Sequence, residues 1–339
     1  MTESGNFEGH NILNMHQSYQ EFADAEGIEK EALRNEMRAA RARLLDAREQ
    51  RVRPGKDDKI LASWNALAIS AFARAAVALD SPDYLEAAQQ AADFVLNDMR
   101  RDDGRLLHTW RHSVAKVDGF LDDYSYMIVA LLNLYAADLD QRWIGQAIKL
   151  KNLLLDHFSD ASGNGFYFTA DYSEKLIART RSFQDSSVPS GNSMAALGFL
   201  RLGRLLGDAD LIETAKKTIN ASADLLKRSP LASGQMLIAL NESLDAHIQL
   251  VFVSNEGQDF RRVGKLCENV ESATVVCATP NQESTPELAL LLQDKVIVDE
   301  QPTLYICRNF SCDRPVVGWE QVESALSALP ADSSKATLN

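Results

Sequence analysis

Apolar residues recur three and four apart through three long stretches of the chain, and each stretch is broken once by a few polar residues. Residues 64–99, WNALAISAFARAAVALDSPDYLEAAQQAADFVLNDM, spell a helix, an Asp/Ser/Pro break and a second helix. The form returns at 122–158, DDYSYMIVALLNLYAADLDQRWIGQAIKLKNLLLDHF, and at 190–228, SGNSMAALGFLRLGRLLGDADLIETAKKTINASADLLKR. Tyr84, Trp143 and Leu211 open the second helices at equivalent places. The first helix of each copy is apolar almost all round, whereas the second alternates charged and apolar faces. The first helices are therefore expected to be enclosed as an inner ring and the second to face water as an outer ring.

Between the copies lie DDGRLLHTWRHSVAKVDG and DASGNGFYFTADYSEKLIARTRSFQDSSVPSG, read as small β-hairpins at the end where the inner helices begin. Upstream, residues 16–51 read as a short helix and a long charged one, a fourth pair. Past residue 245 the pattern changes to short β-branched runs, HIQLVFVS, ATVVCATP and TLYICRN, with helical segments between them. The expectation is a mainly α protein, a partial (α/α)6 toroid over 1–245, followed by a small α/β appendage over 246–339 with a three-stranded parallel sheet.

The 339 residues are 45% hydrophobic and 24% charged, enough for a sizeable core. Forty-eight acidic against 35 basic side chains leave a net charge of -13, a field that repels nucleic acid and anionic membranes. The first residues lack a basic segment leading into an apolar one, and no run of eighteen uncharged apolar residues occurs, so a cytoplasmic location is expected. Cys267, Cys277, Cys307 and Cys312 match no paired CxxC zinc spacing and read as reduced structural thiols. Neither a metal nor a cofactor is expected.

Several segments in order resemble the YyaL-like family, also called the spermatogenesis-associated protein 20 family: KDDKILASWNALAI, KVDGFLDDYSYMIVALLNLY, GNGFYFTADYSE and VPSGNSMAALGFLRLGRLLGD, with GNFEGHNIL near the start and LYICRNFSCDRPV near the end. The resemblance implies an (α/α)6 toroid akin to N-acylglucosamine 2-epimerases and six-hairpin glycosidases, hence a sugar-handling fold, and supplies no reaction. The family's thioredoxin-like domain with its CxxC, and its early helical hairpins, have no counterpart in this sequence. A C-terminal fragment and a truncated stand-alone chain are the two expectations. Asp118 stands where the family pattern leads one to expect proline.

Candidate chemistry gathers at the heads of the inner helices. Adjacent acids exceed what one helix cap needs, so Asp57 with Asp58, and Asp122 with Asp123, are the candidate acid/base carboxylates. Trp64, Asn65, Asp118, Tyr124, Tyr126, Arg181, Asp185, Ser190 and Asn192 are the candidates for orienting a carbohydrate. Asp160, Ser162, Asn164, Gly165 and Asp171 imitate a calcium loop but precede a β-like rather than a helical run and are read as a turn. His108 and His112 flank Trp110 and Arg111 on a hairpin and do not match the helical histidine pair of the related epimerases. The competing reading is a non-catalytic scaffold that associates with itself or with a thioredoxin-like partner.

Overall fold

The computed structural model describes residues 3–245, 247–256, 258–267, 270, 273–280, 286–308 and 311–329. They fall into two compact units, Met1–Asp58 and Lys59–Asn339. In the first, α1 (Tyr19–Glu26) begins on a capping box in which Ser18 and Glu21 exchange hydrogen bonds, and it packs against α2 (Lys30–Glu49) through buried Ala23 and Leu33.

The second unit opens with β1 (Ile60–Leu61), α3 (Ala62–Ala78) and α4 (Pro82–Asp98), then β2 (Leu107–Arg111) and β3 (Val114–Asp118). The turn between β2 and β3 places His112 and Ser113 at positive φ, as a two-residue type I′ hairpin requires, and β1 adds to β2 with Ile60 opposite Trp110. Next come α5 (Leu121–Asp138), α6 (Arg142–Phe158), α7 (Gly191–Leu206), α8 (Ala209–Ala221), α9 (Ala223–Arg228) and α10 (Gly234–Leu244). Helices α3, α5, α7 and α10 lie side by side as the inner row, and α4, α6 and α8 each back onto the inner helix they follow. This is a partial toroid of the (α/α)6 type.

Three features differ from the sequence expectation. Helix α10 is a fourth inner helix, and its short, partly polar sequence gave no sign of that role. Inner burial holds for α5 and α7, enclosed on most sides, but α3 exposes Trp64, Phe72, Val77 and Leu79, and α10 exposes Leu237, Ile238 and Leu244. They are the two ends of the arc, each with an inner neighbour on one side only. Residues 159–190 form no hairpin beyond one bridge, Ser159 with Phe166, because side chains take the place of a ladder: Arg179 donates to the carbonyls of Thr169 and His157 (2.9 Å).

The remaining elements are β4 (Ile248–Val253), α11 (Gln258–Cys267), β5 (Ala273–Ala278), α12 (Pro286–Leu292), β6 (Thr303–Arg308), β7 (Ser311–Cys312), β8 (Val316–Val317) and α13 (Trp319–Ser327). Their sheet is mixed rather than all parallel. β5 runs parallel to β4, whereas β6 crosses to the other edge of β4 and returns antiparallel, with β7 and β8 along its outer edge. The sheet docks on the C-terminal ends of the inner helices: Gln249 donates to the Leu205 carbonyl (2.9 Å), and Gln141 to that of Cys277 (2.7 Å). Among the thiols, Cys267 and Cys277 are free and buried, but Cys307 and Cys312 are joined in a disulfide, against the expectation of four reduced cysteines, because β6 and β7 bring them face to face.

Candidate functional site

The N-termini of the inner helices lie at the end away from that sheet, and carboxylates tie them together. The first of these is Asp123, third residue of α5 and 0% exposed. Its Oδ1 accepts the Ser63 N–H at the head of α3 (2.9 Å), its Oδ2 accepts the Phe120 N–H just ahead of α5 (2.8 Å), and His108 Nδ1 of β2 approaches both oxygens (2.9 and 3.1 Å). The His108 imidazole in turn has its pKa raised, chiefly by the Asp123 hydrogen bond, against the opposing effect of its own burial. Asp123 thus joins α3, α5 and the hairpin.

Asp122, one residue earlier, points elsewhere. It accepts from the backbone of Gly191 at the start of α7, yet burial, followed by the charge of Asp123, pushes its carboxyl up from 3.8 to about 6. The approach depends on glycine: a Cβ on residue 191 would collide with Asp122 Oδ1 and stand 2.8 Å from Leu121 Cγ. A third carboxylate, Asp185, accepts the N–H groups of Ser190 at the N-cap of α7 and of Gln235 in the first turn of α10 (both 2.8 Å). Acids therefore complement the positive ends of all four inner helices, α3, α5, α7 and α10.

Asp122 lines a cavity of about 180 Å³, together with Phe168, Ser182, Gln184, Ser186, Ser190, Gly191 and Asn192. Ser190 caps α7 by accepting from Ser193 N–H (3.1 Å). The buried Asn192 is occupied as a clamp, accepting from Phe166 N–H (2.8 Å) and donating to the carbonyls of Phe166 (2.9 Å) and Ser182 (3.0 Å). Tyr126 donates to the Pro189 carbonyl beside the same cavity, and its phenol pKa is raised by burial and then by Asp122 and Asp185.

Other candidates are not among the cavity's lining residues. Tyr124 is buried, with its hydroxyl accepting from Leu106 N–H (2.9 Å) and 3.0 Å from Tyr172 Oη. Asp118 pairs with Arg101 (2.7 Å), and Arg181 pairs with Asp160 in the turn read above as calcium-loop-like. Asn65 donates to the Leu61 carbonyl (2.9 Å). Trp64 is 62% exposed at the head of α3. Asp57 and Asp58 end the first unit and are exposed; the cavity is built from residues of the second unit.

The sequence singles out neither His108 nor Phe168 and Ser182, whereas Gln184 and Ser186 flank Asp185 in the loop that leads into the expected Ser190 and Asn192. The available signal for His108 was strand alternation, which puts it on the same face of β2 as Trp110, a ring packed edge-on against Phe94. A larger hollow of about 800 Å³ lies in the α/β region, lined mainly by apolar residues such as Val253, Pro280 and Leu290, with Lys295 the one charged member among the described residues.

No family model matches the chain. It is 27% identical over 326 residues to human spermatogenesis-associated protein 20, across 92% of this chain and 42% of that protein, and 27% identical over 327 residues to the mouse protein, across 92% and 41%. The chain spans less than half the length of these relatives. Among solved structures, similarity extends to the GH76 α-mannanase BT2949 of Bacteroides thetaiotaomicron (15% identity, TM-score 0.46, 55% of this chain and 53% of that one). It extends also to a cellobiose 2-epimerase from Bacillus thermoamylovorans (16%, TM-score 0.42, 50% and 45%).

Proposed function

We propose that the chain binds a carbohydrate at the inner-helix mouth and performs acid/base chemistry on it, as an epimerase, isomerase or glycoside hydrolase, with Asp122 as the proton-transferring group. The observation that carries this reading is a carboxyl at about 6 lining a cavity, since an acid is most useful when its pKa lies near the working pH. The volume is below the roughly 300–1,000 Å³ of drug-sized sites, so the ligand is a single sugar ring. Hydroxyl and amide groups of Ser182, Gln184 and Ser186 suit sugar hydroxyls, and the Phe168 ring offers a face for the C–H side. Asp123, whose oxygens are already engaged by three elements, orients His108 instead of reacting.

The test is a thermal-shift screen against neutral monosaccharides. A ligand at a hundred times its dissociation constant stabilises by roughly 2.7 kcal/mol, worth several degrees in a chain of this size. Stabilisation of the wild type that is lost in Asp122→Asn supports the reading; a panel with no shift in the folded protein sinks it. The exposed apolar faces of α3 and α10 favour a second reading, an interaction module that associates with itself or a separate partner, because such patches are seldom left in water. A monomer by light scattering at high concentration removes self-association.

A further inference from the structure

The disulfide on the far side of the molecule takes no part in the mouth, and its surroundings are not those of a structural staple. Cys307 of β6 and Cys312 of β7 are directly opposed in an antiparallel pair, five residues apart in sequence. The hairpin is closed without the cross-link: Arg308 pairs with Ser311 in the ladder, Asp313 N–H donates to the Ile306 carbonyl (2.9 Å), and Arg308 meets Asp313 at 2.7 Å. A bridge across so short a loop removes little chain entropy compared with one across a long loop.

Access is lopsided. Cys312 is exposed on a two-residue strand at the outer edge of β6, while Cys307 is 2% exposed. Cys277 is not placed to compete. Cys277 sits opposite Phe252 on the far edge of β4, whereas Cys307 sits opposite Gln249, two strands across and three residues along, beyond disulfide reach. Burial pushes the Cys267 thiol up to about 12 and holds Cys277 higher still, so neither is a thiolate at neutral pH.

We propose that Cys307 and Cys312 form a reversible thiol–disulfide site that exchanges with low-molecular-weight thiols of the glutathione class while the fold stays intact. An external thiolate attacks Cys312 Sγ, and the S–S bond breaks with its electron pair on Cys307, which takes up a proton. A second external thiolate then attacks the external sulfur of the mixed disulfide and releases Cys312. Two external thiols are oxidised to one disulfide and the protein pair is reduced by two electrons; oxidised glutathione runs the sequence backwards.

The test equilibrates the whole folded chain in buffers of varied reduced-to-oxidised glutathione ratio, then alkylates it and weighs it. The expected result is two labels per chain at the reducing end, none at the oxidising end, the same curve from both directions, and an unchanged circular dichroism spectrum. Cys267 and Cys277 stay unlabelled until denaturant is added. A disulfide that withstands excess reduced glutathione until the chain unfolds is a staple and overturns the proposal, as does a pair that oxidised glutathione never closes. In the double variant Cys307→Ser with Cys312→Ser the ratio-dependent labels should vanish; their persistence would assign the chemistry to other cysteines and also overturn it.

Discussion

The two sides of the α5 N-terminus hold the same side chain in opposite circumstances. Asp123 is enclosed and met by Ser63, Phe120 and His108, so its burial is matched by donors from three elements. Asp122, its sequence neighbour, is partly buried beside a cavity with the Gly191 backbone against it, and its carboxyl is pushed up to about 6. Burial with donors makes a carboxylate a joint; burial without enough of them makes it an acid that can hold or release a proton near neutrality.

The largest expected effect comes from removing the joint. Asp123→Ala leaves two backbone N–H groups and an imidazole without their acceptor inside the protein, and should cost about 3–5 kcal/mol in denaturant unfolding. A loss below 1 kcal/mol would mean that Asp123 is not what ties α3 to α5. Next is Gly191→Ala, which drives a methyl group into Asp122 and Leu121; a destabilisation of about 1–3 kcal/mol is expected, together with loss of any sugar-induced thermal shift.

Asp122→Asn should act in the opposite direction. The folded chain binds the Asp122 proton more tightly than the unfolded chain, so this group makes the protein less stable as pH rises from about 4 to 6 and exacts its full penalty above that. Taking the carboxyl from 3.8 to about 6 corresponds to at most about 3 kcal/mol, so the amide should gain up to that amount at pH 7, flatten stability between pH 4 and 6, and abolish turnover. Urea unfolding at pH 4, 5, 6 and 7 reads this directly. The smallest expected effect is that of Trp64→Ala, within about 0.5 kcal/mol for stability because the ring is exposed, with any sugar-induced thermal shift retained because Trp64 does not line the cavity.

The helical repeat was legible because it is written in periodicity: α3 to α8 follow the apolar spacing of the three stretches, with Trp143 and Leu211 buried where the pattern put them. The acids at the head of α5 were legible as a cluster but not as individuals. Adjacent residues on a helix point about 100° apart, and which of the two meets Ser63 and His108 depends on α3 and β2, elements some sixty and fifteen residues away in sequence. Segment 159–190 departs from the expected hairpins for a similar reason. Its polar backbone is satisfied in part by Asn192 and Arg179 and in part by isolated main-chain bonds such as Phe168 N–H to the Thr180 carbonyl (2.8 Å), and neither leaves an alternating pattern to read. The mixed sheet was hidden because buried parallel and antiparallel strands spell the same apolar run.

Asp122 and Asp123 differ by environment, and the most direct test of that difference is the carboxyl titration of Asp122 followed by carbon-13 NMR, assigned by comparison with Asp122→Asn. A midpoint near 6 is expected. A midpoint at or below the ordinary value of about 3.9 for aspartate would contradict the account, because the carboxyl at the cavity would then be as well served by donors or water as any surface acid.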